Sequence, residues 1–259
     1  MKIYILADME GISGIRKPEQ VQFDSPEYAE GCKLMTDDIN AAIDAAFLAG
    51  ATEVVACDTH GGGGQVKIAE MDTRAVYETP NRGLMMPSLD ESFDGLILVG
   101  HHARAGTLNG FLDHTMSSKA WFEYRINDEI VGEIGIEAAY AAHYDVPVIA
   151  VTGDEALAKE AQLLFGKIEC AVVKWGIGRN RAKCLPLTKA HEAIRVAIEK
   201  ALKAVDTFKP YKPSIPAVIQ LTLYRSDMAD NYASHPGVDR VDARTVRKTV
   251  TSFIDICRW

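Results

Sequence analysis

Two carboxylates lie directly after an apolar run at the start of the sequence. Residues 2–7 read KIYILA, and Asp8 and Glu10 follow at once, with glycines at positions 11 and 14. The run predicts a strand that is buried on both faces, because apolar residues occupy both alternating positions. Burying two neighbouring carboxylates costs several kcal/mol unless something pairs with them. A bound cation is the simplest partner, so Asp8 and Glu10 are predicted to form half of a metal site.

Two later apolar runs also end in side chains that bind metals. The run EVVAC is followed closely by His60, and the run GLILV is followed by His101 and His102. In open parallel sheets, ligands bind at the carboxyl ends of the strands. Asp8, His60 and His102 are therefore predicted to converge, although they are far apart in the sequence.

Several residues near these runs have more than one reading. His101 and His102 are adjacent, so if strand geometry persists only one of them reaches the metals. Glu133 opens an apolar helix, where it is equally well explained by the helix dipole or by metal binding. Arg104 is either a group that orients a substrate carboxylate or a surface residue. His114 lies in a loop twelve residues beyond His102, close enough to fold back over the same strand ends.

The candidate ligands combine three carboxylates with two imidazoles: Asp8, Glu10, His60, His102 and Glu133. This oxygen and nitrogen set fits catalytic zinc, manganese or cobalt better than a structural zinc site, which is usually rich in cysteine. Five ligands exceed the need of one ion, and a pair of ions bridged by a carboxylate such as Asp8 uses them all. The expected chemistry is hydrolysis of an amide, ester or phosphoester. His114 then serves as a general acid or base, or donates a hydrogen bond to the oxyanion.

Composition narrows the class of protein. The 259 residues are 47% hydrophobic and 25% charged, with a formal net charge of −8. This charge argues against nucleic acid or an anionic membrane surface as the main partner. No stretch approaches the ~20 apolar residues of a membrane span, and the first apolar run is too short for a signal peptide. The five scattered cysteines contain no CxxC and fit reduced thiols, so the cytoplasm is the expected location.

The pattern of elements predicts an α/β fold: a mostly parallel sheet covered by helices on both faces, with a smaller C-terminal α+β domain. Three prolines at residues 207–216 mark the expected boundary, giving a metal-binding catalytic domain at 1–206 and a small domain at 207–259. The sequence also predicts three helices: one starting at Ser25 and Pro26 and ending near Gly50, one at 155–165 capped by Asp154, and one at 188–205. It further predicts a turn at 79–83 and a hairpin at 121–132 around Asn127 and Asp128.

At these residues the sequence resembles the DppA-type D-aminopeptidases, a family of zinc metallopeptidases. The matching pieces are DMEGISG from Asp8, DTH ending at His60, GHHARA containing His102, IND through VGE ending at Glu133, and YDVPV from Tyr144. Their order and spacing agree over about the first 190 residues.

The resemblance implies two zinc ions in each subunit. Asp8 bridges them, Glu10 holds one, and His60, His102 and Glu133 hold the other. It selects His102 over His101 and implies that His114 is the catalytic histidine. It further implies release of N-terminal D-residues, especially D-Ala, from short peptides by a ring-stacked homodecamer.

Two other readings remain beside the di-metal aminopeptidase. One is a di-metal hydrolase that acts on another amide or a phosphoester. The other is a metal-dependent binding or assembly protein, which would take up metal tightly without turnover. A panel of substrates separates the three.

Overall fold

The computed structural model describes residues 1–81 and 84–259, and over these residues the chain forms twelve strands and five α-helices. The strands are β1 (Lys2–Ala7), β2 (Glu53–Asp58), β3 (Val76–Glu78), β4 (Gly95–His101), β5 (Trp121–Ile126), β6 (Glu129–Ile130), β7 (Val148–Asp154), β8 (Glu169–Gly176), β9 (Ala182–Cys184), β10 (Ala217–Leu223), β11 (Asp239–Arg240) and β12 (Thr245–Val250). The helices are α1 (Tyr28–Leu48), α2 (Glu133–Ala141), α3 (Glu155–Phe165), α4 (Leu187–Lys203) and α5 (Ser226–Ala233).

The larger sheet has seven strands in the order β3-β2-β1-β4-β7-β8-β9. All neighbouring pairs are parallel except β8 and β9. Ala7 at the end of β1 pairs with Asp58 on one side and Val99 on the other. The carboxyl ends of the three central strands therefore lie side by side, which is what the predicted convergence requires.

Helices cover both faces of this sheet. Ile3 and Ile5 of β1 belong to a buried cluster that includes residues of α1 and α4, whereas Tyr4 and Leu6 belong to a second cluster with residues of α2 and α3. Alternate side chains of a strand point to opposite faces, so a strand buried on both sides must be apolar at both positions, as β1 is. The predicted fold class is confirmed.

The smaller sheet is antiparallel, in the order β11-β12-β10-β5-β6. Its β5 and β6 come from the predicted hairpin at 121–132, and Asn127 and Asp128 turn it with φ values of 48° and 69°. The C-terminal segment thus completes its sheet with strands from the middle of the chain. Division into domains at residue 207 stays a prediction.

Helix α2 packs against both sheets. Ile134 and Ala138 belong to the cluster of the larger sheet, and Ile136 and Ala139 to the cluster of the smaller one. Burial on two sides explains why the helix is apolar nearly all round. Its first residue, Glu133, is thereby held at a fixed position between the two sheets.

Some boundaries differ from the sequence predictions. The first helix begins at Tyr28 rather than at Pro26, because Ser25 organises a turn instead: its carbonyl accepts the Tyr28 N–H and its hydroxyl accepts the Glu27 N–H. Gly50, with φ of 98°, follows the helix end as expected. The turn predicted at 79–83 includes Arg82 and Gly83, which lie outside the described residues.

None of the helices in the described part of the chain has both the length and the apolar character needed to cross a membrane. The five cysteines are free thiols.

Candidate metal centre

Ligand-type side chains gather at the carboxyl edge of the larger sheet. Asp8 and Glu10 follow β1, His60 follows β2, and His102 follows β4. Asp8, Glu10 and His102 are at most 5% exposed. Glu133 joins them from the start of α2, and the loop at 107–118 brings in His114.

Asp8, Glu10 and His60 form one group. His60 Nδ1 lies 3.2 Å from Asp8 Oδ1 and 3.2 Å from Glu10 Oε2. The other ring nitrogen, Nε2, lies 3.2 Å from the carbonyl oxygen of Val21 and donates to it. Nδ1 thus faces the two carboxylates.

His102, His114 and Glu133 form a second group. Glu133 Oε1 lies 3.4 Å from His102 Nε2 and 3.4 Å from His114 Nε2. The Nδ1 atoms of His102 and His114 lie 3.0 Å and 2.9 Å from the backbone carbonyls of Ala103 and Leu112. The two imidazole rings stack with centroids 4.1 Å apart.

Asp8 connects the two groups, because its Oδ2 lies 3.2 Å from His102 Nε2. Both of these atoms are buried, yet among the described residues neither has a hydrogen-bond partner of acceptable geometry. The Asp8 oxygen and the His102 nitrogen therefore face each other, but no hydrogen lies in a position to form a hydrogen bond between them. A cation satisfies both atoms at once.

The donor set fits two metal ions. Each of the three histidines donates one ring N–H to a backbone carbonyl, which is the arrangement that fixes the tautomer of metal-bound imidazole. The donor atoms are 3.2–3.4 Å apart. Bonds of 2.0–2.1 Å in a tetrahedral site give donor separations of about 3.3 Å. Within each group, all candidate ligand atoms lie within 4.8 Å of one another.

The structure brings all six predicted site residues together, but it groups them differently from the resemblance. His60 lies with Asp8 and Glu10, not with His102 and Glu133. His114, expected only as the catalytic histidine, presents its Nε2 within the second group. The individual ligand and catalytic roles stay predictions.

The charges of the centre stabilise one another. Burial opposes ionisation of Asp8, but the neighbouring imidazoles of His102 and His60 hold its pKa well below the usual range. Burial also opposes charge on His60, yet Glu10 and Asp8 together raise its pKa to about 12. Glu133 and Asp8 likewise outweigh burial and raise the pKa of His102 well above its usual value. Without metal, His60 and His102 therefore hold protons at neutral pH.

Metal binding is consequently expected to release protons. At pH 7 a metal ion must displace the proton from each of these histidines, so affinity rises with pH by about tenfold per unit for every proton released. Calorimetric titration of the metal-free protein with a divalent ion, repeated in buffers of different ionisation enthalpy, measures the number released. A binding enthalpy that is the same in every buffer would contradict the proton assignment.

Adjacent histidines point in different directions. His102 faces the centre, whereas His101 turns toward α2 and places its Nε2 2.9 Å from Glu137 Oε2. This resolves the pair that the sequence left open: His102 is the one that reaches Asp8 and Glu133. Arg104 lines a separate cavity of about 320 Å³, and its backbone N–H donates to Glu160 Oε2 at 2.8 Å.

A buried lysine supports the loop that carries Glu10. Lys174 of β8 is 0% exposed, and its Nζ lies 2.8 Å from the carbonyl of Glu10 and 2.7 Å from that of Ile15. Burial lowers the pKa of Lys174 to about 8. Sequence reasoning missed this residue. The one available signal was a lysine inside the apolar run AVVKW, since buried lysines are rare unless paired.

Gly11 lets the same loop lie directly on the end of β4. Its N–H donates to the carbonyl of Gly100 at 2.7 Å, and a Cβ at this position would lie 1.9 Å from the carbonyl oxygen of His101. Gly11→Ala is therefore expected to destabilise the metal-free protein by about 3 kcal/mol, since backbone must move to make room. Urea unfolding measures this difference, and a change below about 0.5 kcal/mol would show that the contact is loose.

The loop that carries His114 is held in an uncommon backbone conformation. Asn109, Leu112 and Met116 have φ values of 60°, 52° and 57°, a region that costs non-glycine residues free energy. Met116 N–H donates to Glu133 Oε1 at 2.7 Å. This bond ties the loop to the second group and fixes the approach of His114.

The centre opens into a cavity of about 700 Å³. Asp8, Glu10, His60, His114 and Glu133 line it, so they are reachable by a ligand of peptide size.

Comparisons with known proteins show the family of the chain. The family model described as D-aminopeptidase, Peptidase_M55, matches residues 1–259. The chain belongs to this family. It is therefore a peptidase, a hydrolase of peptide bonds. A D-aminopeptidase of Bacillus subtilis (strain 168) is 34% identical over 241 residues, which is 92% of this chain and 87% of that protein.

A solved structure shares the whole fold of the chain. It is described as a Zn-dependent D-aminopeptidase, DppA from Bacillus subtilis, a self-compartmentalizing protease. The TM-score is 0.95 at 32% identity, and the match covers 99% of this chain and 94% of that one. Likeness of this extent confirms the resemblance that the motifs indicated.

Proposed function

We propose that this D-aminopeptidase family member binds two zinc ions and releases N-terminal D-residues, of the D-Ala type, from short peptides. The observation that carries the proposal is the pair of three-residue groups joined by Asp8. Family membership and the zinc dependence of the similar DppA support the choice of metal and reaction. Mn²⁺ and Co²⁺ suit the same ligands.

The proposed ligands form two sets, according to which side chains lie next to each other. Asp8, Glu10 and His60 would hold one ion, and Asp8, His102 and Glu133 would hold the other. Two ions at this centre supply Lewis acidity and lower the pKa of a bound water. Asp8 is shared because its two oxygens face His60 and His102 separately.

His114 is proposed to move the proton. Its Nδ1 donates to the Leu112 carbonyl, which fixes the ring and leaves Nε2 facing Glu133 at 3.4 Å. Nε2 accepts a proton from the attacking water and returns it to the departing amine nitrogen. The stacked ring of His102 and the Met116–Glu133 hydrogen bond restrict the movement of His114 and preorganise this transfer.

Hydrolysis of D-Ala-D-Ala and L-Ala-L-Ala by zinc-loaded protein, with and without chelator, tests the proposal. Cleavage of the D-peptide alone, abolished by chelator, is the expected result. Cleavage of neither peptide by protein that holds two zinc ions would reject the proposed substrate and turn attention to other amides and phosphoesters.

We also propose that the chain assembles as a homodecamer in the cytoplasm. The description of the similar DppA as self-compartmentalizing supports an assembly, and the five free thiols suit a reducing compartment. Light scattering during size-exclusion chromatography gives the mass, and a particle with the mass of one chain would reject the decamer.

A further inference from the structure

A cationic side chain lies on the rim of the cavity that contains the metal centre. Arg179 belongs to the turn between β8 and β9 and lines the same cavity as Asp8, His114 and Glu133. Its side chain is 49% exposed. The cavity therefore combines the carboxylates of the candidate centre with cationic lining residues, of which Arg179 is one and Lys119 and Arg258 are others.

Three contacts fix the turn of Arg179 against the loop that carries His114. The Leu112 N–H donates to the carbonyl of Arg179 at 2.7 Å, and Arg179 Nε lies 3.3 Å from Asp113 Oδ1. At the base of the turn, a Cβ on Gly176 would lie 2.0 Å from the Asn109 carbonyl oxygen, so the two backbones touch. The guanidinium is thus placed beside the residue that directly precedes His114.

The guanidinium has capacity for another ligand. It carries five N–H donors, and the contacts described for it engage Nε with Asp113 and Nη1 with Asn180. A carboxylate is the anion that matches the planar donors of arginine best. A peptide substrate brings one such group, its C-terminal carboxylate.

We propose that Arg179 binds the C-terminal carboxylate of the substrate, so that the enzyme prefers peptides with a free carboxylate to amidated ones. This inference rests on the proposed function, because it takes the substrate to be a peptide cleaved at the metal centre. The ion pair with Asp113 keeps the guanidinium in place while the carboxylate binds.

Two substrates with the same scissile bond test the inference: D-Ala-D-Ala and D-Ala-D-alaninamide. The parent enzyme is expected to have a KM about tenfold lower for the free acid, as loss of a charge-assisted hydrogen bond implies. Arg179→Gln should raise the KM of the acid about tenfold and remove the preference for it. Arg181→Gln is the matched control, since Arg181 is an exposed arginine of the same turn that is not among the residues lining the cavity.

Each other outcome has a definite meaning. An equal KM for acid and amide in the parent enzyme would overturn the inference, and so would an Arg179→Gln variant that slows both substrates by the same factor, since Arg179 would then only support Asp113. Cleavage of the amide without preference for the acid leaves the proposed function standing. Failure to cleave either one rejects the proposed function, and the inference with it.

Discussion

His114→Ala is expected to lower kcat by about 10²–10⁴-fold while the protein keeps two metal ions. That range is what removal of a general acid or base typically costs. The ion held by Asp8, Glu10 and His60 should stay bound, because none of the contacts described for this group involves His114. The expected change therefore lies in kcat. Metal content by atomic emission, measured on the same preparation as the kinetics, distinguishes a loss of kcat from a loss of bound metal.

The same variant also decides between two roles for His114. Its Nε2 lies as close to Glu133 as that of His102 does, so geometry allows it to be a ligand as well as a catalyst. Loss of one ion from the variant would make His114 a ligand. Full activity would remove it from the mechanism altogether. His191→Ala, at a histidine that pairs with Asp38 away from the centre, is the control and should keep both metal and rate.

Asp8→Asn is expected to abolish binding of both ions, whereas Glu10→Gln should remove only one. Asp8 contacts His60 through Oδ1 and His102 through Oδ2, while Glu10 contacts His60 alone among the three histidines. Even residues that only support a metal ligand cost 10–100-fold in affinity when removed, so loss of the shared ligand is expected to cost at least about 100-fold for each ion. Activity should vanish in both variants.

Equilibrium dialysis against zinc measures the stoichiometry: none for Asp8→Asn and one for Glu10→Gln. The metal-free variants should unfold at a lower denaturant concentration than the metal-free parent, since each replacement takes a carboxylate partner from a buried, protonated histidine. Loss of one ion in both variants would show that Asp8 is not shared. Retention of two ions by Asp8→Asn would reject the bridge.

The sequence predicted β1, β2 and β4 of the larger sheet and the meeting of their carboxyl ends. Runs such as KIYILA are apolar at both alternating positions, which only a strand covered on both faces explains. Once the strands are parallel, Asp8, His60 and His102 must lie at the same edge. The proximity of these three residues could therefore be predicted from the sequence alone.

Other features depend on contacts that no local pattern carries. Ser25 and Pro26 form a good helix start on local grounds, but the Ser25 carbonyl and hydroxyl close a turn instead, and the helix begins at Tyr28. Grouping of His60 with Glu10 follows from side-chain directions that spacing does not give. The short strands β3, β9 and β11 were missed, since two or three residues show no periodicity.

The smaller sheet was foreseen only in part. Its hairpin and a C-terminal α+β segment were each predicted, but nothing in either segment indicated that they pair. Residue Leu221 of β10 lies opposite Tyr124 of β5 and Val246 of β12, which joins segments about 100 positions apart. Pairing over such distances is set by the packing of the whole molecule rather than by local sequence.

The position of α2 has a consequence for the order in which the enzyme is made. Glu133 stands on a helix packed partly against a sheet whose strand β12 ends at Val250. On the ribosome, the earlier strands can pair first, but the support behind this helix is incomplete until β10 and β12 have emerged. A growing chain therefore holds Glu133 in its final position only after the smaller sheet has formed.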